Sequence, residues 1–370
     1  MTTLQTEFTE GELLADHPIE APLLANGVRC HGGFDGDGAY VSPRTLHRWP
    51  AIGAWEEQRL EQFGTPIIDV PLEAWPAHFP NVEQSKFLIR HGVTSPTIGE
   101  LSRIGTVEGF GGVLRTTPTP EFARCFAEEI DGTAIAHIDG GLFEAHARDE
   151  SGFGDQAGHD RMWFAARDIA FENPVTEDQT ATMLQRMGIT GGPGSAPPPP
   201  PSRVLPDDID PVLESVLGRM IGLLLIEISA FHGFRWAEAV LADDQLVAGD
   251  GEAARLIAYI RSDETPHVAW LRTAISEMRD RTWVGSGGRT HDGAVMVDRL
   301  WTRALDNSVV LRRQASLDLT MAEVERAVAG RADGADLVEE MLSLGTVERT
   351  ADGGVVDSQL VADAVSVDER

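Results

Sequence analysis

The chain is poor in lysine and in positive charge. Lys86 is its only lysine, and 30 basic side chains stand against 59 acidic ones in 370 residues, which gives a formal charge of -29. Nucleic acids and anionic membranes bind basic surfaces, because their phosphates must be neutralised. The composition therefore argues against both as partners.

Cysteines and long apolar runs are scarce as well. Cys30 and Cys125 are too few for a disulfide framework. The longest apolar run, "MIGLLLIEISAF", is interrupted by Glu227, and no run reaches the roughly 18 residues that a transmembrane helix needs. The first residues lack the basic and then apolar pattern of a secretory signal. We therefore expect a cytoplasmic protein.

The character of the sequence changes near residue 118. Residues 1–118 contain many Gly and Pro turns, and we predict an irregular N-terminal extension that covers one end of the protein or mediates dimerisation. Thr119 is a candidate N-cap and Pro120 a first helical residue, so a helix is predicted from there to about Ala147. Further helical patterns begin at Asp155 and run over about 210–243, 252–281, 291–314 and 318–343, before an acidic tail at 346–370.

A proline-rich segment divides the predicted helices into two pairs. Residues 189–211 include five consecutive prolines, which favour an extended, semi-rigid connector. Such a segment is either a plain interdomain linker or a crossover along a bundle. With the crossover, residues 119–345 form a mainly α domain, a four-helix bundle whose long connection joins two helix hairpins.

The stretch "DETPH" (263–267) places charged groups on an apolar helix face. At 100° per residue, Glu264 lies in the stripe of Ile260 and Val268, with His267 at its edge. A carboxylate and an imidazole three positions apart are one turn apart and can reach the same metal ion. Buried charges are costly unless something pairs with them.

Glu227 is the matching residue on the preceding helix. Apolar residues such as Leu224 and Phe231 surround it on its face. The alternative to a metal is a buried ion pair with Arg235 or Arg255, but neither arginine falls on the correct side of its helix. The sequence therefore favours a metal site between these two helices.

With the spacing E-x35-D-E-x-x-H, residues 227–267 resemble the ferritin-like di-metal carboxylate superfamily, in which each helix pair supplies one Glu and one E-x-x-H. The resemblance covers residues 210–281 well and implies a ferritin-like four-helix bundle. It implies that Glu227, Glu264 and His267 bind metal, and that Asp263 is similar to the family's outer acid, which orients a ligand histidine.

The first helix pair departs from this pattern. "DQAGH" (155–159) echoes "DETPH", but Gln156 stands where a ligand Glu is expected. On the first predicted helix His137 and Glu144 share a stripe with Glu129, and His146 lies on the opposite side. His137 and Glu144 also have, in reverse order, the seven-residue separation of a carboxylate and a histidine in the haem-oxygenase-like di-iron oxidases, which are similar in site chemistry.

The expected metal ligands are therefore His137, Glu144, His159, Glu227, Glu264 and His267. Glu129 is the substitute if His137 is instead a core histidine bonded to a backbone carbonyl. Mixed oxygen and nitrogen ligands suit two iron ions, or manganese or a mixed Fe/Mn pair, and zinc stays open. His31 lies in a loop-like segment and is expected to be solvated.

The family resemblance also implies a function. A di-iron or di-manganese centre in such a bundle activates O2 or a peroxide, so the first hypothesis is an oxidase or oxygenase that oxidises a small organic substrate. The second is a non-catalytic metal-binding or iron-handling protein, and the third is a bundle without metal whose inward acids pair with arginines. The expected partners are O2 and a small molecule, and a homodimer is a candidate assembly.

Overall fold

The structure is a computed structural model that describes residues 4–171, 202–307, 312–351 and 353–358, with isolated positions between 172 and 201. Residues 189–201 of the predicted connector and 359–370 of the predicted tail lie outside the described residues. The described part of the chain is mainly helical, with few and small sheets. None of its helices has the length and apolar character of a membrane span.

The α-helices are α1 (Glu10–Leu13), α2 (Arg48–Phe63), α3 (Val82–Arg90), α4 (Ser95–Gly109), α5 (Phe143–Ser151), α6 (His159–Ala170), α7 (Pro211–Leu241), α8 (Glu252–Asp263), α9 (Thr265–Arg279), α10 (Gly293–Leu305), α11 (Arg313–Val328) and α12 (Gly334–Ser343). The strands are β1 (Ala21–Ala25), β2 (Val28–Phe34), β3 (Tyr40–Val41), β4 (Thr282–Val284), β5 (Thr290–Asp292), β6 (Val347–Arg349) and β7 (Val355–Asp357). They form three antiparallel sheets in the orders β1-β2-β3, β4-β5 and β6-β7.

The long helix α7 is the centre of the helical packing. It begins with Pro211 at the first helical position, and the Asp210 side chain accepts a hydrogen bond from the Val212 N–H, which caps the helix. Helices α8, α9 and α10 all pack against α7. The helix predicted over 210–243 is confirmed.

The helix predicted over 252–281 is two helices that meet at Glu264. Pro266 has no N–H to donate to the carbonyl of Ser262, and the Thr265 hydroxyl donates to that carbonyl instead, at 2.7 Å. This local change divides α8 from α9. Glu264 and His267 stay on the inner side of the junction, both fully buried.

The helix predicted from Thr119 to Ala147 is wrong over most of its length. The chain there passes through short 3-10 turns at Phe122–Arg124 and Ile135–His137 and a π turn at Ile138–Leu142 before α5 begins. Gly141 has φ 138°, a conformation that only glycine adopts readily and that interrupts a helix. The orientation of residues after Gly141 therefore does not follow from the residues before it. Helix α5 turns a different face to the interior from the predicted one.

Helix α4 belongs to the segment predicted as an N-terminal extension, yet it packs along α6 and also touches α5. Small residues make this contact close. A Cβ at Gly105 would lie 2.9 Å from the Cβ of Trp163, and one at Gly109 would lie 3.3 Å from the Cβ of Asp160. Helix α4 thus lies beside the helices of the predicted bundle.

The apolar core has three parts. The first surrounds the N-terminal half of α7 with α2, α9 and α10, and the second surrounds its C-terminal half with α4, α6, α8 and β1-β2. The third joins α3 to α11, α12 and the sheet β6-β7. The buried polar residues of the next subsection lie at the junction of the first two, where α5, α6, α7 and the α8-α9 pair meet.

Candidate metal centre

Helix α5 sends three polar side chains into the interior. His146, Asp149 and Glu150 are spaced three and four positions apart, so they lie on one side of the helix, and each is at most 2% exposed. His146 Nε2 lies 3.4 Å from Glu150 Oε1. The helix therefore offers an imidazole and a carboxylate to one point in space.

A tight turn brings α6 back to the same point. Gly152 ends α5 with φ 76°, and a Cβ on Gly158 would lie 2.3 Å from the Gly152 nitrogen, so no other residue allows this approach. His159 then opens α6, fully buried, with Nδ1 3.5 Å from Glu150 Oε2. The turn thus places an imidazole opposite the carboxylate of α5.

The junction of α8 and α9 adds a carboxylate and an imidazole from the other side. Glu264 Oε1 lies 2.8 Å from His159 Nδ1, and Glu264 Oε2 lies 2.6 Å from His267 Nδ1. His267 Nδ1 also lies 3.3 Å from Glu150 Oε1. Glu150 and Glu264 therefore each face both His159 and His267.

Glu227 closes the cluster from α7. Its Oε1 lies 3.1 Å from His146 Nε2, and only 4% of the residue is exposed. The His146 ring stacks on that of His267 with their centroids 3.7 Å apart. Neither Arg235 nor Arg255, the alternative partners weighed from the sequence, forms an ion pair with Glu227 among the described residues.

Glu108, at the end of α4, faces the same cluster. It belongs with Glu150, His159 and Glu264 to a group of side chains whose oxygen and nitrogen atoms converge. The turn after α4 approaches the Glu150 side chain this closely because residue 111 is a glycine. A Cβ at Gly111 would lie 2.2 Å from the Cγ of Glu150. The short turn after α4 thus packs directly on the central carboxylate.

Two overlapping groups of ligating atoms result. The histidine-rich group contains His146, Glu150, Glu227 and His267, and the carboxylate-rich group contains Glu108, Glu150, His159 and Glu264. Within each group the ligating atoms lie within 4.8 Å of one another, and Glu150 belongs to both. These buried clusters could hold metal ions.

The convergent atoms lack partners in the protein. Buried side-chain atoms normally form hydrogen bonds, and each exception needs an explanation. The atoms that form no hydrogen bond of normal geometry within the described structure include His146 Nε2, both oxygens of Glu150, His159 Nδ1, both oxygens of Glu264 and His267 Nδ1. They are the atoms that point into the two groups, so the donor set fits metal ions.

Burial and mutual repulsion shift the acid–base equilibria of the carboxyls. Burial and then the neighbouring carboxylates Glu264 and Glu108 raise the pKa of Glu150 well above its ordinary range. Burial and the charge of Glu227 likewise raise the pKa of Glu264, although His159 opposes this. Burial acts against a charged His159, but Glu264 and Glu150 outweigh it and raise the pKa of this ring. Without a further positive charge, the cluster therefore favours the protonated forms of Glu150, Glu264 and His159.

Two further acids face the outward nitrogens of His267 and His159. Asp149 Oδ2 lies 2.9 Å from His267 Nε2, and Asp263 Oδ2 lies 3.6 Å from His159 Nε2. Histidines that bind metal commonly donate their other N–H to a carboxylate, which fixes the ring and raises its basicity. Asp149 makes such a hydrogen bond with His267, whereas Asp263, the outer acid predicted from the sequence, faces His159 at a distance beyond a hydrogen bond.

The structure brings together four residues of the sequence-based set, namely His159, Glu227, Glu264 and His267. It does not bring His137 and Glu144 to them. His137 Nδ1 lies 2.7 Å from the carbonyl oxygen of Thr133, and its Nε2 accepts a hydrogen bond from the Phe8 N–H, which is the core-histidine alternative.

The carboxylate of Glu144 instead pairs with Arg148 and Arg115. Glu129, the substitute ligand, is exposed.

Sequence reasoning missed His146, Glu150 and Glu108. The pair His146-x-x-x-Glu150 is a signal that helical spacing could have found, but the phase carried across Gly141 turned His146 outward, and Glu150 lay beyond the predicted end of the helix. For Glu108 the signal is the neighbouring Gly105-x-x-x-Gly109, which permits close helix packing. His31 was expected in solvent and is 1% exposed, because β2 pairs with Ala157 and presses its ring against Asp263.

The fold and the site together define a mainly helical protein with buried carboxylate–histidine groups that could hold metal. No family model, curated protein or solved structure matches the chain. Only the chemistry of the site therefore indicates what the protein does.

Proposed function

We propose that the two groups bind a pair of iron or manganese ions, and that the protein uses them to activate O2 or a peroxide and oxidise a small organic substrate. The observation that carries the proposal is the set of buried histidine and carboxylate atoms that converge without hydrogen-bond partners. Helices α5, α6 and α7 and the α8-α9 pair surround the site in the manner of a ferritin-like bundle, which supports the relationship suggested by the sequence.

Charge supports two divalent ions rather than one. Glu108, Glu150, Glu227 and Glu264 carry four negative charges when ionised, and two divalent ions carry the same number of positive charges. Without such ions the close carboxylates repel one another, as the raised pKa values of Glu150 and Glu264 indicate. A buried charge is stable only when it is paired or bound to metal.

The donor types support iron or manganese. Three imidazoles and four carboxylates form a mixed nitrogen and oxygen set, which these metals accept. The two groups share Glu150, and Glu264 faces both sides. Carboxylates that reach two ions hold them close together, as two-metal catalysis requires.

The protein's own part in the reaction is to orient the ligands and exclude water. Iron or manganese supplies electrons to O2 or a peroxide when bound, and the burial of His159, Glu264 and His267 keeps bulk water away. A surface depression of about 400 Å³ lies over the turn from Ser151 to Gln156, which joins the ends of α5 and α6. We propose this depression as the approach for the small substrate.

One observation favours a bundle without metal, the competing hypothesis. The Trp270 indole N–H points at His146 Nδ1 from 3.4 Å. A neutral His146 that accepts this bond carries its proton on Nε2, which lies 3.1 Å from Glu227 Oε1, as in a polar core. If Nε2 bound a metal ion instead, the proton would lie on Nδ1 and the His146 ring would have to release Trp270.

Metal analysis and rapid mixing test the proposal. Purified protein should bind about two Fe(II) ions per chain, and mixing this form with O2 should give a fast absorbance change that the metal-free protein lacks. Glu227→Gln should lose at least half of the iron, whereas Glu238→Gln, at a partly exposed carboxylate on the same helix, should lose none. Less than one equivalent of any transition metal, with no Fe(II) binding, would contradict the metal centre. Binding without reaction with O2 would favour iron handling instead.

A further inference from the structure

The acids that face the outward nitrogens of His267 and His159 are themselves held by one short segment of the N-terminal region, residues 31–48. Arg48 Nη2 donates to Asp149 Oδ2 at 2.8 Å, and Arg44 Nε donates to Asp149 Oδ1 at 2.7 Å. The Tyr40 hydroxyl donates to Asp263 Oδ2 at 2.7 Å. Both outer acids are fully buried, so water does not replace these partners.

His31 connects the two acids. Its Nδ1 lies 3.3 Å from Arg44 Nη2, and its Nε2 lies 3.2 Å from Asp263 Oδ2. Arginine only donates, so Nδ1 of His31 accepts and its proton is on Nε2, from which it is donated to Asp263. A continuous polar chain therefore runs from Asp149 through Arg44 and His31 to Asp263.

The backbone of this segment supports a specific role. Arg44 has φ 53°, a left-handed conformation that a non-glycine residue rarely adopts. Asp16 holds it there, because its carboxylate accepts the Arg44 backbone N–H at 2.6 Å. Such strain persists where the surroundings fix it, and it clusters at functional sites.

We propose that His31, Tyr40, Arg44 and Arg48 are positioning residues for the metal ligands, a role that rests on the metal centre proposed above. Asp149, held by its arginines, orients His267 of the histidine-rich group through a hydrogen bond, whereas Tyr40 and His31 fix Asp263 at 3.6 Å from His159 of the carboxylate-rich group. The groups that hydrogen-bond to Asp149 and those that hydrogen-bond to Asp263 differ in charge. Two cations neutralise Asp149, while donors without formal charge leave Asp263 anionic, so the two metal positions receive different electron donation through their histidines.

Two variants, Tyr40→Phe and Arg48→Met, test the partners of Asp263 and of Asp149 separately. The first removes the hydroxyl that holds Asp263, and the second removes one cation from Asp149. Tyr259→Phe is the matched control, since Tyr259 stacks on Tyr40 at 4.3 Å and its hydroxyl makes no hydrogen bond within the described residues. Arg48→Gln, which also removes the cation, replaces Arg48→Met if the latter does not unfold cooperatively.

Titration of the metal-free protein with Co(II), followed by its visible spectrum, measures the effect. Each variant should weaken one of two bound equivalents by about tenfold or more, as loss of an outer partner of a metal ligand does. The weakened equivalent should differ in spectrum between the two variants, because the two groups differ in nitrogen content. A purely structural role would lower the unfolding temperature without moving either spectrum.

The outcomes separate this inference from the proposed function. If the unaltered protein binds no Co(II), the metal centre itself is contradicted. If it binds two equivalents and Tyr40→Phe leaves both affinities and spectra unchanged, the positioning role is wrong and the metal centre stands. Loss of the same equivalent in both variants, or an equal loss in Tyr259→Phe, also overturns it.

Discussion

The imidazole rings of His146 and His267 lie 3.7 Å apart, centroid to centroid, with an angle of 12° between their planes. Two protonated rings would repel at this distance. Burial and then the neighbouring charge of His146 lower the pKa of His267 to about 3. His267 is therefore neutral near pH 7, which is the form that binds metal.

Glu150 belongs to both ligand groups, so its replacement should affect both ions. We expect Glu150→Gln to weaken metal binding by more than about 100-fold, the upper range for loss of an outer partner. Glu144→Gln is the control, because Glu144 lies on the same helix and pairs with Arg148 at its surface. Elemental analysis after dialysis compares the metal content of the two variants. Two retained ions in Glu150→Gln would remove this residue from the ligand set.

His146 and His137 should behave in opposite ways. His146→Ala should lose about half of the bound metal, since the histidine-rich group loses a donor. His137→Ala should keep its metal but lose roughly 1–3 kcal/mol of unfolding free energy, because the Phe8 N–H loses its acceptor. Elemental analysis and urea unfolding of both variants measure the two effects. Metal loss in His137→Ala alone would support the sequence-based ligands.

Metal binding should stabilise the folded protein, because it relieves the repulsion among buried carboxylates. A free metal concentration 100-fold above the dissociation constant should add about 2.7 kcal/mol. A chelator should reverse the rise in unfolding temperature, as scanning calorimetry can show. The gain should fall as the pH is lowered, since protons compete for the ligands. An unfolding temperature that does not change with Fe(II), Mn(II) or a chelator would count against the metal site.

Gly111→Ala tests the packing behind the centre. The added methyl group would overlap the Glu150 side chain, so we expect a loss of about 1–3 kcal/mol in unfolding free energy together with weaker metal binding. Gly53→Ala, in the open space on α2, should instead be neutral or stabilising by up to about 1 kcal/mol. Urea unfolding and metal titration compare the two. Equal behaviour of both variants would show that Gly111 does not constrain Glu150.

Glu277, away from the centre, should make stability depend on pH. Burial outweighs Arg281 and the N–H groups of Ile135 and Ala134 and raises the pKa of Glu277 from 4.5 to about 7. Between these values the folded chain holds a proton that the unfolded chain has lost, so stability falls as pH rises through this range and then levels off. The total is about 3 kcal/mol.

Glu277→Gln should remove that dependence. The difference in unfolding free energy between the metal-free protein and Glu277→Gln, measured by urea unfolding from pH 4.5 to 8, isolates the effect. The two proteins should diverge steadily up to about pH 7 and run parallel above it. A constant difference would mean that Glu277 is ionised in the fold throughout.

Some of the site could be predicted from the sequence because some of its helices are continuous. Glu227 lies within α7, so its face follows from helical spacing. Glu264 and His267 remain one turn apart even though α8 and α9 meet between them. In these cases local geometry alone brings the residues to one side.

The remaining residues depend on features that helical spacing does not contain. Gly141 resets the helical phase, so His146 faced the wrong way in the prediction, and Glu150 lay beyond the predicted end of the helix at about Ala147. Glu108 and His31 reach the centre through tertiary packing of α4 and β2, at distances along the chain that no periodic pattern spans. A left-handed backbone and close glycine contacts, rather than polarity, bring them there.

The polar chain through Arg44 and His31 affects what can be expected of a shortened form of the protein. A polypeptide that begins at residue 119 would keep every proposed ligand except Glu108. It would also remove His31, Tyr40, Arg44 and Arg48, which are hydrogen-bond partners of Asp149 and Asp263. We therefore expect the helices around the metal positions to be less stable alone than in the whole chain.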